Sequence, residues 1–93
     1  MASRIITLRR KLATGQYELT HHAKEEMEQD RFVLEDVKQA IYGGRIVRTQ
    51  RDKRGKKHTI AGIAADGHGI RVVCRMTSLG RLRIITVFQR GNQ

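Results

Sequence analysis

Two histidines stand side by side in the run His21-His22-Ala23-Lys24-Glu25-Glu26-Met27. On a helix, His22 and Glu26 lie four apart and share a face, so the carboxylate can orient the imidazole. A histidine held this way beside cationic groups has the parts needed to cleave RNA without a metal. One group takes the 2′-hydroxyl proton, another protonates the leaving oxygen, and Arg or Lys stabilises the charge on phosphorus. The same spacing also describes an ordinary ion pair at an exposed helix start. As a metal site the segment is weaker, because His21, His22 and Glu26 have no convincing third ligand. No glycine-rich phosphate loop, paired metal-ligand motif or nucleophile elbow occurs elsewhere, so neither metal nor cofactor is expected.

Arginines form the second candidate surface. Alternation along Ile70–Met76 points Ile70, Val72, Cys74 and Met76 to one side and Arg71, Val73 and Arg75 to the other. Arg48, Arg54, Lys57 and Arg83 flank that face, with Arg45, Arg51, Lys56 and Arg81 around them. Guanidinium forks clamp phosphate oxygens, so a strand face lined with them can cradle RNA. The alternative is a solvated strand face. Only Phe88 offers an aromatic ring there, which argues against a sheet that reads bases by stacking.

Charge points the same way. Lys and Arg total 19 against 9 Asp and Glu, a net charge of +10 with histidine neutral. Solubility alone asks for a charge of about 2–8 in a small domain. The surplus favours a dense polyanion, where neutralised phosphates release counterions.

These groups must be positioned by one small fold, since 93 residues hold a single core. Aromatics are only 4% of the chain, so that core rests on Ile, Val, Leu and Ala. The first half has helical spacing. Ser3 caps a helix with Ile5, Leu8 and Leu12 on one face, stopped at Gly15. Tyr17 to Leu19 reads as a short link. Thr20 caps a second helix to about Asp30, with Ala23 and Met27 inward, and a third runs from about Leu34 to Tyr42, burying Val37, Ala40 and Ile41. The second half reads as strands: Arg45–Arg51, His58–Ala65 after a loop Asp52–Lys56, then a turn at Asp66-Gly67, Ile70–Met76, and Leu82–Phe88. Ile84 and Ile85 leave the inner face of the last strand ambiguous. The expected fold is α+β: N-terminal helices, over about residues 3–42, packed on one face of a four-stranded antiparallel sheet, about residues 45–89. A single cysteine, Cys74, excludes an intramolecular disulfide, and no stretch reads as a signal peptide or membrane span, which points to the cytoplasm.

Several short runs in order resemble a bacterial domain family of unknown function. They are Leu19-Thr20-His21-His22-Ala23 with Glu26-Met27, Glu35-Asp36-Val37 with Ala40-Ile41, Gly44-Arg45-Ile46-Val47, Asp66-Gly67, Val72-Val73-Cys74 and Ile84-Ile85-Thr86-Val87. Only the first fifteen or so residues fall outside the resemblance. Members of that family often accompany an antitoxin with a YgiT-type zinc finger and are similar to the RelE and MqsR toxins, which cut messenger RNA. The resemblance implies a ribonuclease-toxin architecture of RelE or barnase type, a toxin–antitoxin role, and site positions at His22 and Thr86. The chain departs from the pattern at Glu26, where many members carry Arg, and at Phe88, where most carry Tyr.

The leading expectation is therefore a metal-independent endoribonuclease toxin acting on RNA, with His22, Glu26 and Thr86 at the reaction centre and Arg48, Arg54, Lys57, Arg71, Arg75 and Arg83 holding phosphate. A zinc-finger antitoxin is the expected protein partner. The alternatives are a non-catalytic RNA-binding or ribosome-associated module, and a basic domain that docks an acidic protein.

Overall fold

The computed structural model describes residues 4–90. Its first helix, α1 (Arg4–Ala13), buries Leu8 and Leu12, four apart on its inner side. The expected cap, Ser3, lies outside the described residues. The second helix, α2 (His21–Gln29), starts where the Thr20 hydroxyl accepts the N–H of Ala23 at 3.1 Å, and it buries Ala23 and Met27. The third, α3 (Leu34–Gly43), buries Val37, Ala40 and Ile41. Its start is fixed by Asp36, whose carboxylate accepts the N–H of Val33 at 2.8 Å and of Ala65 at 3.0 Å. The last turn of α3 has no basic residue of its own. Arg9 of α1 supplies one, donating to the carbonyls of Ile41 and Gly44 at 2.9 Å each, where the helix dipole is negative.

The sheet differs from the expected four antiparallel strands. Five strands form it: β1 (Tyr17–Leu19), β2 (Arg45–Asp52), β3 (Gly55–Ile63), β4 (Gly69–Met76) and β5 (Leu82–Gln89), in the order β1-β5-β4-β3-β2. The sheet is mixed, because β1 runs parallel to β5 in the register Tyr17–Leu82, Glu18–Arg83 and Leu19–Ile84. Three residues are too few to display an alternating pattern, and so this strand reads as a link. The expected loop Asp52–Lys56 is also shorter in the fold. Asp52 pairs with Gly55, which leaves only Lys53 and Arg54 at the hairpin tip. Gly55 has φ 108°, a backbone conformation that disfavours any side chain.

The core lies between the helices and one sheet face, where Ile60, Ile70, Val72, Cys74, Leu82, Ile84 and Val87 are fully buried. The Ile84/Ile85 ambiguity is settled by a bulge. Cys74 pairs with Ile84 while Val73 pairs with Thr86, so Ile85 is the extra residue. Ile84 and Val87 therefore both face inward. Packing is close at Gly62, where an added Cβ would meet the backbone of Ala40 in α3.

Candidate nucleic-acid interface

Strand register places most of the predicted phosphate-binding residues on the sheet face away from the core. Paired residues share a face, so three transverse rows can be followed. One row runs Glu18–Arg83–Arg75, and Lys57 follows by continuing the His58–Cys74 register one residue. The next runs Thr86–Val73–Thr59–Arg48, and the third Phe88–Arg71–Ala61–Arg45. Arg54 sits at the β2–β3 tip, beside this face. The structure thus brings Arg48, Lys57, Arg71, Arg75 and Arg83 together with Arg54 at the rim. Phe88 is 39% exposed next to Arg71, the lone aromatic of the surface.

The six cations are not equivalent. Arg75 faces outward, as expected, yet it is buried to 7% exposure. Its guanidinium reaches across β3 and grips Asp52 with two bonds, Nη1 to Oδ1 at 2.9 Å and Nη2 to Oδ2 at 2.6 Å. Those bonds, with the N–H of Arg54 on Oδ1, hold the Asp52 carboxyl well below the usual carboxylate range. Arg83 donates to Glu18 at 2.7 Å, and Arg81 reaches the same carboxylate at 3.3 Å. The hydrogen bond from Arg83 is the main cause of the lowered pKa of Glu18. Arg75 and Arg83 are therefore structural anchors already matched to a carboxylate. Arg48, Arg54, Lys57 and Arg71 have no carboxylate partner among the described residues.

The predicted reaction centre lies at the edge of the same sheet. β1 ends at Leu19, leaving the outer edge of β5 open beyond Ile84. The α2 segment continues along that edge and satisfies its backbone with side chains. Thr20 donates through its hydroxyl to the carbonyl of Ile85 at 3.1 Å, Glu26 Oε1 accepts the N–H of Val87 at 3.1 Å, and Asp30 Oδ2 accepts that of Gln89 at 3.2 Å. The match has a geometric basis. Four helical residues rise about 6.0 Å, close to the roughly 6.6 Å spanned by two strand residues.

His22 joins this comb, with Nε2 at 3.2 Å from the same Glu26 Oε1, and it is 65% exposed. The amide that Glu26 holds is the one linking Thr86 to Val87, so His22 and Glu26 meet β5 at the backbone beside Thr86. Thr86 itself belongs to the outer face beside Val73. His21 forms a separate pair with Glu25 at 3.0 Å and is almost fully exposed. Glu26 thus has a structural task that its sequence spacing did not reveal, since its strand partner lies 61 residues away.

One further histidine was passed over in the sequence. His58 is 2% exposed on the inner side of β3, with Nδ1 at 2.9 Å from the Thr49 hydroxyl. Burial, then the charges of Arg4 and Lys56, push its imidazole pKa down. The available signal was its place in the alternation Lys57, His58, Thr59, Ile60, which sets a polar residue at an apolar position. Cys74, the single thiol, is buried and pushed up to about 12, so it is held as an inert thiol. Among the described residues, no three His, Cys, Asp or Glu side chains cluster as metal ligands. No helix among them is long and apolar enough to cross a membrane.

Comparison with known families matches residues 19–89 to a domain of unknown function, DUF4258. The chain belongs to the DUF4258 family. No curated protein and no solved structure matched it. The DUF4258 match spans the α2 comb, the outer sheet face and Thr86, while α1 precedes it.

Proposed function

We propose that this DUF4258 protein binds RNA by laying the phosphate backbone across the outer sheet face. The observation that carries this reading is the split among the cations. Arg48, Arg54, Lys57 and Arg71 lack carboxylate partners among the described residues, while neighbouring Arg75 and Arg83 already hold one. Unpaired guanidinium and ammonium groups on one rigid face gain most from phosphate, because no internal ion pair has to be broken first. With one half-exposed phenyl ring, the surface suits backbone contact better than base reading.

A second reading adds cleavage, in the manner of the RelE-type toxins to which the family is similar. It draws on His22, an exposed imidazole held by Glu26 beside the Thr86–Val87 amide. His22 would serve as acid or base, and a neighbouring cation would stabilise the phosphorus centre. A zinc-finger antitoxin would then act by covering the same basic face.

The test has two stages. RNA affinity is measured at two ionic strengths for the parent and for the Arg48→Gln/Arg71→Gln double variant. Binding that neither weakens with salt nor drops in the variant removes the sheet-face reading. RNA ends are then mapped for the parent and for His22→Gln. Intact RNA with the parent leaves the protein a non-catalytic RNA-binding module.

A further inference from the structure

A cavity of about 450 Å³ opens on the helix side of the sheet, between the start of α1, the β2–β3 hairpin and the ends of β3 and β4. Its volume falls in the range of small-molecule sites, roughly 300–1,000 Å³. Three cations ring it: Arg4 from α1, Arg54 from the hairpin tip and Lys56 from β3. Thr7 adds a hydroxyl and half-buried Met76 an apolar side, with Leu8 buried beneath. Among the described residues, no carboxylate lines it.

His58 lines the same space. Its Nδ1 is engaged by Thr49, and no buried side-chain nitrogen or oxygen of the described residues lacks a partner. Nε2 has no hydrogen-bond partner among those residues. Burial first, and then the charges of Arg4 and Lys56, push its imidazole pKa down, so the charge around the ring is positive. An anion would offset that charge.

We propose that this cavity binds a phosphorylated nucleoside. Its phosphate is held by Arg4, Arg54 and Lys56, and its nucleoside part rests on half-buried Met76, above the buried Leu8 and His58. Phosphate alone would leave the apolar side empty, whereas an uncharged nucleoside would leave three cations unmatched. Arg54, at the hairpin tip, is shared with the outer-face reading, but Arg4, Thr7, Leu8, Lys56 and His58 all lie off that face, so the two readings can be tested apart through Arg4 and Lys56. Three of its eight lining residues come from α1, which precedes the residues matched by the family. The same chemistry is offered by a free nucleotide and by the phosphorylated end of an RNA chain.

The experiment titrates the full chain with adenosine 5′-monophosphate, with adenosine, and with a short RNA carrying or lacking a 5′-phosphate. Calorimetry and the His58 ring signals serve as readouts. The monophosphate should bind about tenfold or more tightly than adenosine, the scale of charge-assisted bonds to phosphate. The Arg4→Gln/Lys56→Gln variant should lose most of that difference, while Arg10→Gln/Lys24→Gln, an equal loss of charge away from the cavity, should keep it. If only the phosphorylated RNA binds in this manner, the site holds an RNA end; if the monophosphate also binds, it holds a free nucleotide. Equal binding of adenosine and its monophosphate, together with equal binding of the RNA with and without its 5′-phosphate, overturns the proposal. So does equal loss in the two double variants, or binding that leaves the His58 signals unmoved. Salt-sensitive RNA binding that survives Arg4→Gln/Lys56→Gln would leave the sheet-face reading standing while this one fails.

Discussion

His58 and His22 show how differently one residue type is used in this chain. His58 is buried, neutral and bonded to Thr49, and its folded pKa is lowered by burial and by Arg4 and Lys56. An unfolded chain binds its proton near pH 6.5, so below that pH the unfolded state holds more protons than the folded one. The stability contributed by neutral His58 is full above about pH 6.5 and is lost as pH falls through the lowered folded value. Melting temperature should accordingly fall on acidification from pH 7.5 to 5. His58→Gln should flatten that part of the curve, and an unchanged slope would mean that other groups govern it. His22 calls for a kinetic test instead. If it is an acid or base, His22→Gln should lower RNA cleavage by about 10²–10⁴-fold, with His21→Gln nearly silent because its partner is the separate Glu25. Glu26→Ala should behave differently from both. It uncovers the Val87 N–H, at a cost of about 1–3 kcal/mol, so its melting temperature should drop whether or not the protein cuts RNA.

At the scale of elements, two junctions hold the sheet in the shape that the outer face requires. One is the contact of α3 on β3. A Cβ on Gly62 would run into the Ala40 backbone, and Gly62→Ala should destabilise by about 1–3 kcal/mol, as overpacking does. For a chain this small, each kcal/mol lowers the melting temperature by about 4–8 °C. A melting temperature within a degree of the parent would show that α3 can shift outward freely. The other junction is Arg75 with Asp52, which ties β4 to the end of β2 across β3. Arg75→Ala should lower the melting temperature, and Arg71→Ala much less, although both residues belong to one strand face. The depressed carboxyl of Asp52 adds a sign to that test. Its contribution is present above about pH 4 and is lost as pH falls towards the lowered folded value, so the two variants should converge in strong acid.

These junctions also mark where sequence reasoning ends. The Thr20 cap, the inward pairs Leu8–Leu12 and Ala23–Met27, and the two faces of β4 are local patterns of period 3.6 or 2, and each was legible. β1 was not, because its three residues acquire meaning only beside β5, more than sixty positions later. The burial of Arg75 was hidden for the same reason: alternation gives the direction of a side chain but not the partner that waits 23 residues away. The outward face was thus readable as a list of cations, while their division into anchored and unpaired ones was not.

For the whole molecule the question is whether binding to RNA reflects a surface or merely the net charge of +10. Salt dependence can separate the two. For single-stranded RNA, log K falls with log salt by about 0.7 for each phosphate neutralised. Arg48, Lys57 and Arg71 share the outer face, and changing all three to Gln removes three charges from it. Changing Arg10, Lys24 and Arg31 to Gln removes three exposed charges from α1, α2 and the turn after α2 instead. The two triple variants have the same net charge, so long-range attraction is matched between them. If the backbone lies across the sheet, the first variant should lose affinity and show a slope shallower by about 2, from three contacts at 0.7 each. The second should keep a slope close to that of the parent. Equal losses in both would mean that RNA samples the basic surface without a preferred path. That result would leave the sheet as a scaffold and shift attention to the cavity beside His58.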